Sequence, residues 1–111
     1  MNHISRTPAG QSFKAPVEQL WPECADVYAA NVHNPIDLGT METKVKNNIY
    51  HSLDDIRADI ILLYENSLAF NGIDHIITSA ALEVRDTILK VIRGIEEGKG
   101  STILRASIRK L

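Results

Sequence analysis

The sequence predicts an all-α fold, and three observations carry that prediction. Two segments, Ser52–Asn71 and a second from Asp74 or His75 to Glu97, place apolar residues at steps of three and four, the spacing of one helical face. Only Gly72 and Ile73 separate them, so the two helices should be antiparallel neighbours. The prolines at 8, 16, 22 and 35 all fall in the first half, which therefore cannot be one long helix.

The elements follow in chain order. Short helices fit Glu23–Val32 and Thr40–Asn47. Between them Asn34-Pro35-Ile36-Asp37 calls for an extended turn, because a residue before proline avoids helical angles. The long, partly apolar stretch over residues 8–23 is uncommon in a compact domain, and such loops usually carry function. Ser52 can cap the first long helix, with Asp55 three residues on as in a capping box. Leu53, Ile56, Ile60, Leu63, Ser67 and Phe70 then form its buried stripe, widened by Ile61, Leu62 and Leu68. Asn71-Gly72 suits the backbone that ends a helix. The second helix has Asp74 near its start and presents Ile76, Ile77, Ala80, Ala81, Val84, Ile88, Val91, Ile92 and Ile95. Gly98-Lys99-Gly100 ends it. Ser101 is placed to cap a short final helix bearing Ile103, Leu104, Ile108 and Leu111.

Bulk properties bound the function. The 111 residues suit one domain, and 44% hydrophobic with 23% charged residues is an ordinary globular balance. A net charge of −2 argues against broad wrapping of nucleic acid. The basic residues Lys99, Arg105, Arg109 and Lys110 could touch phosphate, though a solvated face is the plainer use. One cysteine, Cys24, rules out an internal disulfide and supplies no zinc site. No apolar run approaches a membrane span, and Met1–Arg6 lacks the core of a secretory signal. The expectation is a soluble, intracellular protein. An enzyme would have to pair Cys24 with His33, or use His3, His51 or His75, and nothing supplies an orienting third group. The histidines lack metal-ligand spacing. Neither catalysis nor a cofactor is expected.

Phe13-Lys14-Ala15-Pro16-Val17, Tyr28, Pro35-Ile36-Asp37-Leu38-Gly39-Thr40-Met41, Tyr50, Asp59 and Asn66 to Phe70-Asn71 stand in one order along the chain. In that order they resemble the bromodomain family, over about Phe13 to Ile95. The resemblance implies a left-handed bundle of four helices, Z, A, B and C, with a long ZA loop. Mapped here, residues 8–23 are that loop, Glu23–Val32 helix A, Ser52–Asn71 helix B, Gly72–His75 the second loop and Ile76–Glu97 helix C. Pro35–Asn47 is then the connection with its extra short helix. Residues 1–97 form the domain and 98–111 a C-terminal extension. Helix Z is mostly missing, because Met1–Thr7 can supply at most two turns, with Ile4 as its main apolar contact. Helices B and C would then expose an apolar groove. Truncation, dimerisation through the gap, or replacement of helix Z by the C-terminal segment would account for it, truncation foremost.

The resemblance also implies a reader of acetylated histone tails of the H3 or H4 class, acting in the nucleus beside other chromatin proteins. An acetylated lysine presents a neutral amide on an apolar stem, so its site needs one donor and apolar walls. Asn71 resembles the family's donor, its NH₂ group giving a bond without charge; its plainer use would be to cap the helix. Tyr28 resembles the tyrosine whose hydroxyl holds a bridging water. Phe13, Pro16 and Val17 would form the wall and floor, with Leu20 and Trp21 farther along the loop. Ile76 matches the gatekeeper beside the stem, with Ile77 the alternative. Core packing is the plainer use of all these apolar residues. An ammonium entering such a slot would lose hydration and meet no buried carboxylate in the expected lining. Glu18, Glu23 and Asp26 lie near the expected rim. Gln11-Ser12 replaces the family's Trp-Pro before Phe13, which puts a flanking peptide contact in doubt. The rival reading is a bromodomain-like helical interaction module that no longer reads acetyl-lysine.

Overall fold

The computed structural model describes residues 2–98, with side chains from Ile4 to Glu97. The expected final helix with Ile103, Leu104, Ile108 and Leu111, and the basic group Lys99, Arg105, Arg109 and Lys110, lie outside the described residues. Within them the chain is helical and contains no strand. The α-helices are α1 (Asn2–Ser5), α2 (Val17–Leu20), α3 (Ala25–Asn31), α4 (Leu38–Lys46), α5 (Leu53–Asn71) and α6 (Ile76–Gly98), with 3₁₀ turns at Gly10–Phe13 and Pro22–Cys24. No described helix is long and apolar enough to cross a membrane.

The seam between α5 and α6 is the backbone of the domain. Ser52 accepts a bond from the Asp55 amide at 3.3 Å, and Asp55 accepts from the His51 amide at 2.9 Å, which fixes where α5 begins. From that start Leu53, Ile56, Ile60, Leu63 and Ser67 fall on the buried face, as their spacing predicts. Ala81, Val84, Ile88 and Ile92 of α6 join the same core. Two pairs show that the helices run antiparallel: Arg57 meets Glu96 at 2.8 Å near one end, and Ser67 meets Thr78 at 3.3 Å near the other.

Four of the described helices feed this core, but the second in chain order is not the one expected. α3 buries none of its residues and leaves Val27 exposed, whereas α4 buries Leu38 and Met41 completely. The segment Glu23–Val32 is therefore part of the long connection, which extends to Asp37, and α4 takes the place assigned to helix A. The reason is apolar content: two large aliphatic side chains on one face bury far more area than Ala25–Asn31 can offer. α4 also starts two residues before the expected Thr40. Asp37 caps it, with Oδ2 accepting from the Thr40 amide at 2.9 Å and Oδ1 from the Thr40 hydroxyl at 2.6 Å. α6 starts at Ile76, as the mapped helix C does and one or two residues after the Asp74 or His75 that periodicity suggests; the Ile77 amide donates to His75 Nδ1 at 3.0 Å.

The expected groove is filled in part by the N-terminal segment, while Leu82 and Val91 of α6 stay exposed. Ile4 and Ala9 are buried in the cluster that contains Val84, Ile88 and Ile92, so the short N-terminal segment packs where exposure was expected. The Thr7 hydroxyl donates to the Ile4 carbonyl at 2.7 Å and accepts from the Gly10 amide at 3.0 Å, closing a tight reversal after α1.

Tyr50 and Asp59, both named in the family motif, hold α4 to α5. The Tyr50 hydroxyl donates to Asp59 Oδ2 at 2.7 Å, and Lys44 reaches the same oxygen at 2.8 Å. Burial, and then the bond to Asp59, push the Tyr50 phenol above its ordinary range, so it stays a donor.

Two substitutions probe this packing. Ile4→Ala should cost about 2–4 kcal/mol in urea unfolding, and no measurable loss would mean that the N-terminal segment does not pack. Tyr50→Phe, which keeps the ring and deletes the charge-assisted bond, should cost about 1.5–3 kcal/mol in the same assay.

Candidate functional site

A cavity of about 220 Å³ lies where the long connection meets the link between α5 and α6. Each side is built by a local rule. α5 contributes Leu63, Ser67, Phe70 and Asn71, residues that its register brings to one face near its last turn. The helix ends at Gly72, whose φ of 89° favours glycine and whose amide bonds to the Leu68 carbonyl at 3.0 Å. Gly72 ends the helix, so the Asn71 side chain is not spent on a cap. Its Nδ2 instead donates to Ser67 Oγ at 3.2 Å while the residue lines the cavity.

The connection supplies the opposite side through Phe13, Val17, Trp21 and Tyr28. The Tyr28 ring meets Phe70 edge-on, 5.0 Å between centroids at 72°. Burial, then the charges of Asp37 and Glu18, raise the Tyr28 phenol, so its hydroxyl keeps its proton well beyond neutral pH. The connection is anchored at both ends. The Asn66 side-chain Nδ2 donates to the Asn34 carbonyl at 2.8 Å. Gly39 allows the Lys14 stretch to lie against the start of α4, for a Cβ there would stand 2.5 Å from the Lys14 carbonyl oxygen.

Six of the expected site residues therefore line one cavity: Asn71, Tyr28, Phe13, Val17, Trp21 and Ile77. Three do not. Pro16, the residue that precedes α2, and Leu20, its last residue, are not in the lining, whereas Val17 and Trp21 are. Ile76 is 78% exposed. The His75 cap sets the first turn of α6 so that Ile77 faces inward, and His75 itself lines the cavity.

Other lining residues escaped the sequence reading. Leu63, Ser67 and Phe70 carried a signal, since they belong to the stripe that ends at Asn71. Ala15 and Ile36 lie within the motifs that carry the resemblance and Ser12 beside one, whereas Cys24 had no signal beyond its place in the connection. Asp37 corrects the expectation of a lining without a buried carboxylate: it is 6% exposed and lines the cavity. Both its oxygens are engaged by Thr40. A charged carboxylate therefore stands in otherwise mostly apolar walls. Among the described residues no cluster of three His, Cys, Asp or Glu side chains could hold a metal.

Gly39→Ala should cost about 1–3 kcal/mol, because the new methyl meets backbone rather than a yielding side chain. Denaturant unfolding measures it, and wild-type stability would show that the Lys14 stretch lies elsewhere.

With this geometry in hand, comparison with known proteins is direct. The family model described as Bromodomain matches residues 1–83. A bromodomain-containing protein homolog of Drosophila melanogaster is 40% identical over 68% of this chain, which covers 5% of that relative. Bromodomain-containing protein 7 of Gallus gallus is 28% identical over 99% of the chain and 17% of its own length. Bromodomain-containing factor 2 of Saccharomyces cerevisiae is 36% identical over 52% of the chain and 9% of its own length. The chain thus spans a small part of each of these relatives.

Proposed function

The chain belongs to the bromodomain family, and from that membership we propose that its cavity binds acetylated lysine on histone tails, tethering a chromatin or transcription regulator in the nucleus. The observation that carries the reading is the carboxamide of Asn71 in the lining of a mostly apolar cavity, across from a protonated Tyr28. One Nδ2 hydrogen is engaged by Ser67. The second can meet the acetyl oxygen, and Oδ1 is an acceptor for an amide N–H. Tyr28 can hold a water that bridges to the same acetyl oxygen. Phe13, Val17, Trp21 and Ile77 suit the methylenes of the stem.

Acetylation matters because it removes the hydration cost of burying an ammonium. A single neutral hydrogen bond contributes only about 1 kcal/mol net, so binding on the order of micromolar is expected for one mark. A longer protein could raise this by avidity. Glu18, Glu23 and Asp26 add negative charge on the α2–α3 side of the connection, favourable to basic tails.

Calorimetric titration with acetylated and unmodified H3 and H4 peptides tests the reading. The acetylated peptides should bind and the unmodified ones should bind at least tenfold more weakly. Asn71→Ala should abolish the preference while changing stability by less than about 1 kcal/mol, since among the described residues its side chain makes one hydrogen bond, to Ser67. Equal or absent binding by the wild-type chain would leave a helical interaction module that does not read acetyl-lysine.

A further inference from the structure

Beneath Asn71 lies a pair of hydroxyls that helix packing does not require. Ser67 is 5% exposed and Thr78 1%, and they meet across the α5–α6 seam at 3.3 Å. Alanine and valine would fill the same space without polar atoms to satisfy, so the hydroxyls call for another account.

Following the protons supplies one. Thr78 Oγ1 donates to the Ser67 carbonyl at 3.2 Å, which uses its single hydrogen. In the contact between the two hydroxyls Ser67 must then be the donor. With its own hydrogen committed to Thr78, Ser67 Oγ can only accept from Asn71, and it receives Nδ2 at 3.2 Å. The relay has one direction: Asn71 to Ser67 to Thr78 to the α5 backbone. An inverted Asn71 amide would set Oδ1 against an oxygen with no proton to offer. We infer that Ser67 and Thr78 are positioning residues that hold the Asn71 carboxamide in a single orientation, so that one N–H and Oδ1 are always presented to an acyl group in the same sense. This rests on the proposed function of the cavity and specifies which residues set its polarity.

Thr78→Val is nearly isosteric and frees the Ser67 hydrogen to meet Oδ1, which permits the inverted amide. An even mixture of orientations halves the competent population, and a preference for the inverted one lowers it further, so acetyl-peptide affinity should fall about twofold to tenfold. Thr78→Ser, which keeps the hydroxyl, should restore it, and Ser67→Ala should weaken binding as Thr78→Val does. The side-chain amide of Asn71, followed by NMR in the 111-residue protein without ligand, gives a readout that a packing role would not move. Its hydrogens should exchange with water more slowly than those of the exposed Asn47, and severalfold faster in Thr78→Val and Ser67→Ala than in Thr78→Ser. Identical Asn71 exchange in wild type and Thr78→Val would overturn the relay, as would unchanged acetyl-peptide affinity in both hydroxyl-deleting variants. If the wild-type chain binds no acetylated peptide, the reader hypothesis fails, and the Asn71 exchange rates alone decide whether the relay exists.

Discussion

The antiparallel seam of α5 and α6 determines where every polar group of the cavity can stand. Once Ile56, Ile60 and Leu63 pack with Val84 and Ile88, the register of α5 brings Ser67 and Asn71 to its last turn. The short link then returns the chain so that Thr78 lies opposite Ser67. A slip of one residue along either helix would rotate these groups by about 100°. The capping of α5 by Ser52 therefore reaches the cavity through helix phase rather than through contact, whereas His75 both sets the phase of α6 and lines the cavity.

Much of this was legible in the sequence, and the misses are instructive. The α5 stripe from Leu53 to Ser67 reads directly as the buried face, because a long helix averages out local exceptions. Short elements offer no such averaging. Glu23–Val32 was expected to be a bundle helix, whereas Leu38 and Met41 decided the matter through tertiary burial that no local pattern displays. The early start of α4 was available from Asp37 and Thr40, a capping pair overshadowed by Pro35. Choosing between Ile76 and Ile77 depended on the helix start, and a histidine acting as the cap is a weak signal. Asp37 in the cavity wall could not have been foreseen, since it follows from how the connection folds back.

The cavity is consequently less neutral than an apolar slot. Asp37 serves α4 first, and its charge is held by Thr40, yet it also acts on Tyr28 together with Glu18. The carboxylate charges that add to burial in raising the Tyr28 phenol also favour positive charge nearby. On the proposed reading, selectivity for a neutral lysine has to come from the apolar walls, to which the Phe70–Tyr28 contact and the Phe13 side of the connection contribute.

The chain has a single tryptophan, Trp21, and it stands in the cavity wall. Indole emission responds to the polarity of its immediate surroundings, so the protein carries an intrinsic optical gauge of that one space. A guest that displaces water there changes the colour and brightness of the whole molecule's fluorescence, with no other indole to mask it. Occupancy can thus be followed without a dye, a tag or any change to the sequence.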